Sequence, residues 1–145
     1  MKNKALRRIF DSAVEISKLC FEQETLIAKS FGLTCIEAKI LLELCKSRSI
    51  KKSDLLKKFN FSAGRLTHLL ISMEEKKLAK RKVNEDDSRE IIIEITEEGK
   101  KIAKKINHKC ETYYLKLSSF ANDQNLIYIA ETLENLVAEL QNASK

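Results

Sequence analysis

KSDLLKKFNFSAGRLTHLLISMEEK, residues 52–76, reads as two short helices joined by a tight turn. The first, over 52–58, turns Leu55, Leu56 and Phe59 inward. Asn60-Phe61 makes the turn, and Ser62 is a strong N-cap for the next helix. This second helix, 63–76, has two faces. Leu66, Leu69, Leu70 and Met73 lie on one side, and Arg65, His68, Ser72 and Lys76 recur at spacings of three and four on the other. Two short helices in this arrangement, the second polar outside, are the signature of a helix-turn-helix.

On the amino-terminal side, Thr34-Cys35-Ile36-Glu37 reads as a capping box opening a helix that runs to about Lys46. That helix buries Ile36, Ile40, Leu41 and Leu44, and a short extended piece comes next, around Ile50. On the carboxyl-terminal side the period changes. Ala79, Arg81 and Val83 oppose Lys80 and Lys82, NEDDS supplies turn chemistry, and Ile91, Ile93 and Ile95 alternate with Ile92 and Glu94. This predicts a β-hairpin. Thr96 then caps a helix with Glu97 and Glu98 in its first turn.

The two ends are amphipathic. Leu6, Ile9, Ala13, Ile16, Cys20 and Ile27 form one stripe of a helix ending near Ser30, with Gly32 free to turn left-handed. Further stripes run through Ile102, Ile106, Cys110, Tyr113 and Leu117, and through Leu126, Ala130, Leu133, Val137 and Leu140 from a start at Asn122 or Asp123. Such long seams need a partner, and a dimer made by intertwined termini covers them best. The expectation is a single domain, 1–145, mainly α with a small β-hairpin. A winged helix-turn-helix core over 34–96 is flanked by long terminal dimerisation helices at 3–30 and 97–142.

Composition agrees. The chain has 145 residues, enough for one domain with a real core, no proline and only three glycines. Residues 48–82 hold eleven Lys/Arg against three acids, a local net of +8, whereas the whole chain carries +6. The positive charge therefore belongs to one window, which suits a polyanionic partner or else a solvated lysine-rich face. No stretch approaches the roughly 20 apolar residues of a membrane span. No export signal is visible, so the protein is expected in the cytoplasm with reduced cysteines, away from membranes.

Catalysis finds no support. The two histidines, His68 and His108, lack triad-like neighbours, the glycines are scattered, and no Cys-x-x-Cys is present, so neither metal nor cofactor is expected. Cys20, Cys45 and Cys110 fall on apolar stripes, where a free cysteine acts as a small hydrophobe. Cys35 differs. It lies in a first helical turn, where the dipole lowers a thiol pKa, and is the candidate for redox sensing.

Several fragments, in order and register, resemble the MarR family of bacterial transcriptional regulators. They are Leu33-Thr34-x-x-Glu37, Ser53-Asp54-Leu55-Leu56-x-x-Phe59-x-Phe61-Ser62, Met73-Glu74-Glu75-Lys76-Lys77-Leu78-Ala79-x-Arg81, and Asp87-Ser88-Arg89 succeeded by Ile95-Thr96-Glu97-Glu98-Gly99. The chain departs from the family at Lys77, where glycine is usual, and at Lys51, where a threonine or serine cap is frequent. Its wing is also acidic, with Glu85, Asp86, Asp87 and Glu90.

Physical reasoning puts the amino-terminal half of helix 63–76 in a DNA major groove. Arg65 is then the foremost base contact, Thr67 and His68 are secondary ones, and Ser62 caps its helix and meets a phosphate. Lys51, Lys52 and Ser53 fall where the short helix crosses the backbone, and Lys80, Arg81 and Lys82 are assigned to phosphates. The resemblance implies that Arg89 reaches the minor groove or its phosphates, with Asp87 either steadying its guanidinium or pairing with it to hold the wing turn. It also implies regulation by a small-molecule effector, while a C2 dimer presents two reading helices to a pseudo-palindromic operator in double-stranded DNA. The expected function is a homodimeric repressor relieved by that effector or by thiol oxidation at Cys35. The alternative is a winged-helix module that binds protein through the same basic surface.

Overall fold

The computed structural model describes residues 2–144. The chain divides into two compact units between Cys110 and Glu111. The elements are α1 (Lys2–Lys29), α2 (Cys35–Ser47), β1 (Ser49–Lys51), α3 (Lys52–Phe59), α4 (Ala63–Glu75), β2 (Ala79–Val83), β3 (Ile91–Ile95), α5 (Glu97–Lys116) and α6 (Asp123–Ala143), with a 3-10 turn at Ser118–Phe120. The mainly α class with a small antiparallel sheet is borne out. β1 does more than link two helices: it completes a three-stranded sheet in the order β1-β3-β2. Ile50 pairs with Ile93, and Arg81 pairs with Ile93 from the other side.

The core of the first unit agrees closely with the sequence periodicity. Ile40, Leu41 and Leu44 of α2, Leu55 of α3, Leu66, Leu70 and Met73 of α4, and Ile93 of β3 are all fully buried. Burying each such side chain stabilises the fold by about 1.5–3 kcal/mol. Ile36, Leu56 and Phe59 pack against this cluster but stay half-buried. α1 ends at Lys29, and Gly32 takes the left-handed turn at φ 70°. Cys20 departs from expectation. It is exposed on α1, because the stripe on which it lies has no cover within its unit.

The end of α4 resolves the departure at Lys77. The Leu78 N–H donates to the Met73 carbonyl at 2.9 Å and the Lys77 N–H to the Glu74 carbonyl at 2.8 Å, a Schellman closure. Lys77 occupies its left-handed position at φ 59°. A non-glycine residue there costs on the order of 1 kcal/mol. Lys77→Gly is therefore expected to raise stability by up to about 1 kcal/mol, read as a higher urea midpoint with unchanged slope. An unchanged or lower midpoint would show that no strain resides at this turn.

In the second unit, α6 is capped by Asn122, whose side chain accepts the Asn125 N–H at 2.9 Å. Ile127, Tyr128, Leu133, Val137 and Leu140 are exposed along it.

Candidate nucleic-acid interface

α4 begins where the sequence places it. The Ser62 Oγ accepts the Arg65 N–H at 3.3 Å, leaving Ser62, Ala63, Gly64, Arg65 and His68 exposed in and around the first turns. The Arg65 guanidinium lies 4.6 Å from the ring centroid of Phe61, which in turn stacks on Phe59 at 5.4 Å. A cation over a ring face is attracted by its quadrupole, so Phe61 holds Arg65 extended beside the helix start. Thr67 is half-buried and already engaged. Its hydroxyl donates to the Ala63 carbonyl at 2.8 Å and accepts from Lys52 Nζ at 3.1 Å. Ser62, Arg65, Thr67, His68 and Lys52 are thus one cluster, and none of its cations is ion-paired among the described residues.

The stripe of α4 that carries Arg65 does not stay at the surface. Ser72 and Lys76, expected on the outer face, point to Glu37 of α2 at 2.6 Å and at 2.8 and 2.9 Å. The sequence spacing was right but the covering of the stripe was not, because α2 occupies its carboxyl-terminal half. Glu37 is 2% exposed, and its other partners are the N–H and hydroxyl of Thr34, the expected capping box.

The basic residues flanking α4 separate into distinct roles. Arg81, expected on a phosphate, instead makes a bidentate pair with Glu74 at 3.0 and 2.7 Å, and its N–H joins the same carboxylate at 3.0 Å. This fastens the first wing strand to the end of α4 and holds the Glu74 carboxyl below its ordinary range. Lys80 pairs with Glu94 at 3.1 Å, its cross-strand neighbour, and Lys82 lies 4.0 Å from the same carboxylate. Exposed pairs of this kind are weak, so both lysines stay available to a phosphate.

Lys51 and Ser53 are drawn to the wing. The Glu90 carboxylate accepts from Lys51 Nζ at 2.9 Å, Ser53 Oγ at 3.1 Å and Asn84 Nδ2 at 3.2 Å. The hydrogen bond from Lys51 lowers the Glu90 pKa, and the same bond raises that of Lys51. Lys51 therefore caps α3 with backbone alone. Asp87 engages Arg89 through the backbone: its Oδ1 accepts the Arg89 N–H at 3.0 Å. No ion pair between the two side chains is among those of the described residues, and the Asp87 carboxylate closes an Asx turn on the backbone instead. Arg89 is exposed, and no ion pair among the described residues involves it.

Sequence reasoning missed Phe61 as a support for Arg65, and Glu74, Asn84 and Glu90 as partners. Of the side-chain pairings described, the Thr34–Glu37 capping box was legible beforehand. The redox reading of Cys35 is corrected. The residue is 6% exposed, and burial pushes its thiol up, with Glu24 adding to the rise and Lys39 opposing it, so the expected lowering by the helix dipole is overridden.

A tri-helical core, a helix-turn-helix and a three-stranded wing make this a winged helix-turn-helix protein. The profile of the SarA/Rot transcriptional regulators matches residues 24–106, and the chain belongs to that family. An HTH-type transcriptional regulator of Bacillus subtilis strain 168, YfiV, is 28% identical over 109 residues, 75% of this chain and 68% of its own. AbsC of Streptomyces coelicolor, a MarR family regulator, superimposes with a TM-score of 0.77 at 24% identity over 94% of each chain. FabT of Streptococcus pneumoniae, solved in complex with DNA, does so with a TM-score of 0.82 at 18% identity, covering 94% of this chain and 98% of its own. At these identities the likeness to AbsC and FabT is one of fold, and it agrees with the MarR resemblance read from the residues. The family is one of transcriptional regulators and not of enzymes. No helix among the described residues is long and apolar enough to cross a membrane.

Proposed function

We propose that this chain is a cytoplasmic homodimeric repressor that reads a pseudo-palindromic operator with α4 and is released by a small ligand. The observation that carries the reading is the exposed, acid-free start of α4, which carries Arg65 and His68 and whose Thr67 hydroxyl accepts from Lys52. FabT and AbfR, which share the fold, were solved bound to DNA, and this supports DNA as the partner. The domain plan runs along the same lines, with 34–96 as the DNA-binding unit and 3–30 and 97–142 as dimerisation helices.

The dimer rests on uncovered apolar surface. Leu6, Ile9, Phe10, Ile16 and Leu19 are exposed on α1, as are Leu133, Val137 and Leu140 on α6. Patches of this extent mark an interface. Release by a small ligand is supported by NadR, which shares the fold and was solved with 4-hydroxyphenylacetate. Oxidation of Cys35 is disfavoured by its burial.

Fluorescence anisotropy against duplexes from the chain's own upstream region tests the proposal. Wild type is expected to saturate at two chains per site, with half-sites about 34–36 Å apart. Arg65→Ala is expected to weaken specific binding by about tenfold or more. Arg89→Ala is expected to weaken all duplexes alike and to reduce the salt slope by about 0.9. Equal affinity of Arg65→Ala and wild type, or binding without sequence preference, would remove α4 as the reading element. One chain per duplex would remove the dimer.

A further inference from the structure

Glu90 is an acid in the middle of a surface otherwise arranged for phosphate. Its side chain is 19% exposed, and the groups bonded to it are all donors: the Lys51 ammonium, the Ser53 hydroxyl and the Asn84 amide, with Asp54 and Asp87 also acting on Lys51. A cation, a hydroxyl and an amide converging on two oxygens of one anion form the donor set that a phosphodiester group requires. Two of these donors, Lys51 and Ser53, stand at the start of α3, and the third begins the wing loop.

The wing does not need Glu90 for its shape. Five residue pairs join β2 to β3, and three join β1 to β3. The loop is closed by the Asn84 N–H on the Glu90 carbonyl at 2.9 Å and the Glu90 N–H on the Asp87 carbonyl at 2.9 Å. The Asn84 Oδ1 and Asp87 Oδ1 cap the Asp86 and Arg89 N–H groups at 3.1 and 3.0 Å. All of these involve backbone or side chains other than the Glu90 carboxylate. The remaining loop acids differ from it. Glu85 is 87% exposed and approaches only Lys82, at 3.9 Å.

We infer that Lys51, Ser53 and Asn84 form a DNA-phosphate site that the Glu90 carboxylate fills in the free protein. The inference rests on the proposed DNA-binding function and adds a resident competitor to it. In the free chain Glu90 neutralises Lys51 and ties α3 to the wing. On DNA a backbone phosphate displaces the carboxylate, so each engagement requires the exchange of one anion for another. Non-specific association at this point is thereby weakened, while a site that also satisfies α4 supplies enough contacts to drive the exchange.

The test compares Glu90→Gln with Glu85→Gln, which removes the same charge from the same loop without freeing a cation. Binding is read by anisotropy on a labelled 30-base-pair duplex of arbitrary sequence across a salt series, and by elution from heparin. Glu90→Gln is expected to bind the duplex about tenfold more tightly than wild type, with a salt slope steeper by about 0.9, and Glu85→Gln no more than about threefold more tightly. Lys51→Ala is expected to weaken binding of the otherwise wild-type chain, with a salt slope shallower by up to about 0.9, and to abolish the gain in the Glu90→Gln background.

Equal gains for the two glutamine variants, or a gain that survives Lys51→Ala, would overturn the site. A loss of binding by a folded Glu90→Gln protein would make Glu90 a strut for the wing and overturn it as well. Wild type that binds heparin but no duplex would sink the DNA reading instead, and the heparin elution order would still decide the anion site.

Discussion

Gly99→Ala is expected to lower the melting temperature of the winged-helix unit by about 10 °C, corresponding to about 3 kcal/mol. A Cβ at this position would fall 2.9 Å from Ile95 Cγ1 and closer still to the Leu78 carbonyl oxygen. The second neighbour decides the sign, because it is backbone and cannot turn aside. It is also held from both directions. The Leu78 carbonyl accepts the Thr96 N–H at 3.0 Å, and Leu78 is the residue that closes the turn after α4. The Thr96 hydroxyl donates to the Lys77 carbonyl at 2.6 Å and accepts the Gly99 N–H at 2.9 Å. The first turn of α5 is thus clamped onto the last turn of α4, with only a hydrogen atom's space between them.

Helix propensity works in the opposite direction. Alanine is better than glycine inside a helix by about 1 kcal/mol. Gly64 isolates that contribution, since it also lies in a first helical turn and a Cβ there meets nothing within 4 Å. Gly64→Ala is therefore expected to raise stability by about 0.5–1 kcal/mol, and Gly99→Ala to lower it by about three times as much. Thermal melts of the two variants side by side decide the matter. A Gly99→Ala protein melting within a degree or two of wild type would show that the two helix ends are not in contact as described.

The fold was legible because its signals are local. Capping residues Thr34, Ser62, Thr96 and Asn122 mark helix starts, and each start lies within a residue of the expected place. The alternation from Ala79 to Ile95 carried the hairpin. What escaped were pairings fixed by the folded chain alone. Ser53 and Glu90 are 37 residues apart, and Glu37 and Lys76 are 39 apart. No period or motif connects such residues, so Arg81 looked like a phosphate contact and Ser72 like a surface residue. Charge counting is limited for the same reason. It tells how many cations a window holds, but not which are neutralised by acids from other elements.

The second large effect belongs to one of those long-range pairings. Glu37→Gln is expected to destabilise the protein by about 2–4 kcal/mol at neutral pH, although it changes neither size nor shape. All the partners of this carboxylate are donors: the Thr34 N–H and hydroxyl, the Ser72 hydroxyl and the Lys76 ammonium, at 2.6 to 3.0 Å. A glutamine amide brings donors of its own to a place where the Lys76 ammonium and the Thr34 N–H accept none, and only the two hydroxyls could turn to do so. Lys76→Met would leave the carboxylate buried without its cation. Its cost lies toward the lower end of the same range, because solvent already reaches the lysine side chain, 36% exposed. Glu37→Leu, Ser72→Ala and Lys76→Met together remove the buried ion pair and the Ser72 hydroxyl, leaving only the Thr34 N–H and hydroxyl without the carboxylate, and are expected to recover part of the loss.

The pH dependence gives a separate signature. Burial pushes the Glu37 carboxyl up, but Lys76, Ser72 and Thr34 outweigh it and hold the pKa below its usual value. A carboxyl with a depressed folded pKa contributes stability that is complete above the unfolded value, about 4.3, and disappears as the pH falls through the folded one. Glu74 and Glu90 are depressed too and contribute a common background, so the informative quantity is the difference between wild type and Glu37→Gln. Urea unfolding from pH 7 to pH 3 is expected to show that gap constant down to about 4.3 and narrowing below it. A gap under about 0.5 kcal/mol at pH 7, or one that widens with acid, would refute the role given to Glu37. Binding is affected as well, because of where the partners lie. Ser72 lies in the carboxyl-terminal half of α4 and Lys76 caps it, while Arg65 lies in the other half, so the buried carboxylate ties the helix that carries Arg65 to α2. Loss of Glu37 is then expected to weaken DNA binding without touching any residue that meets the DNA.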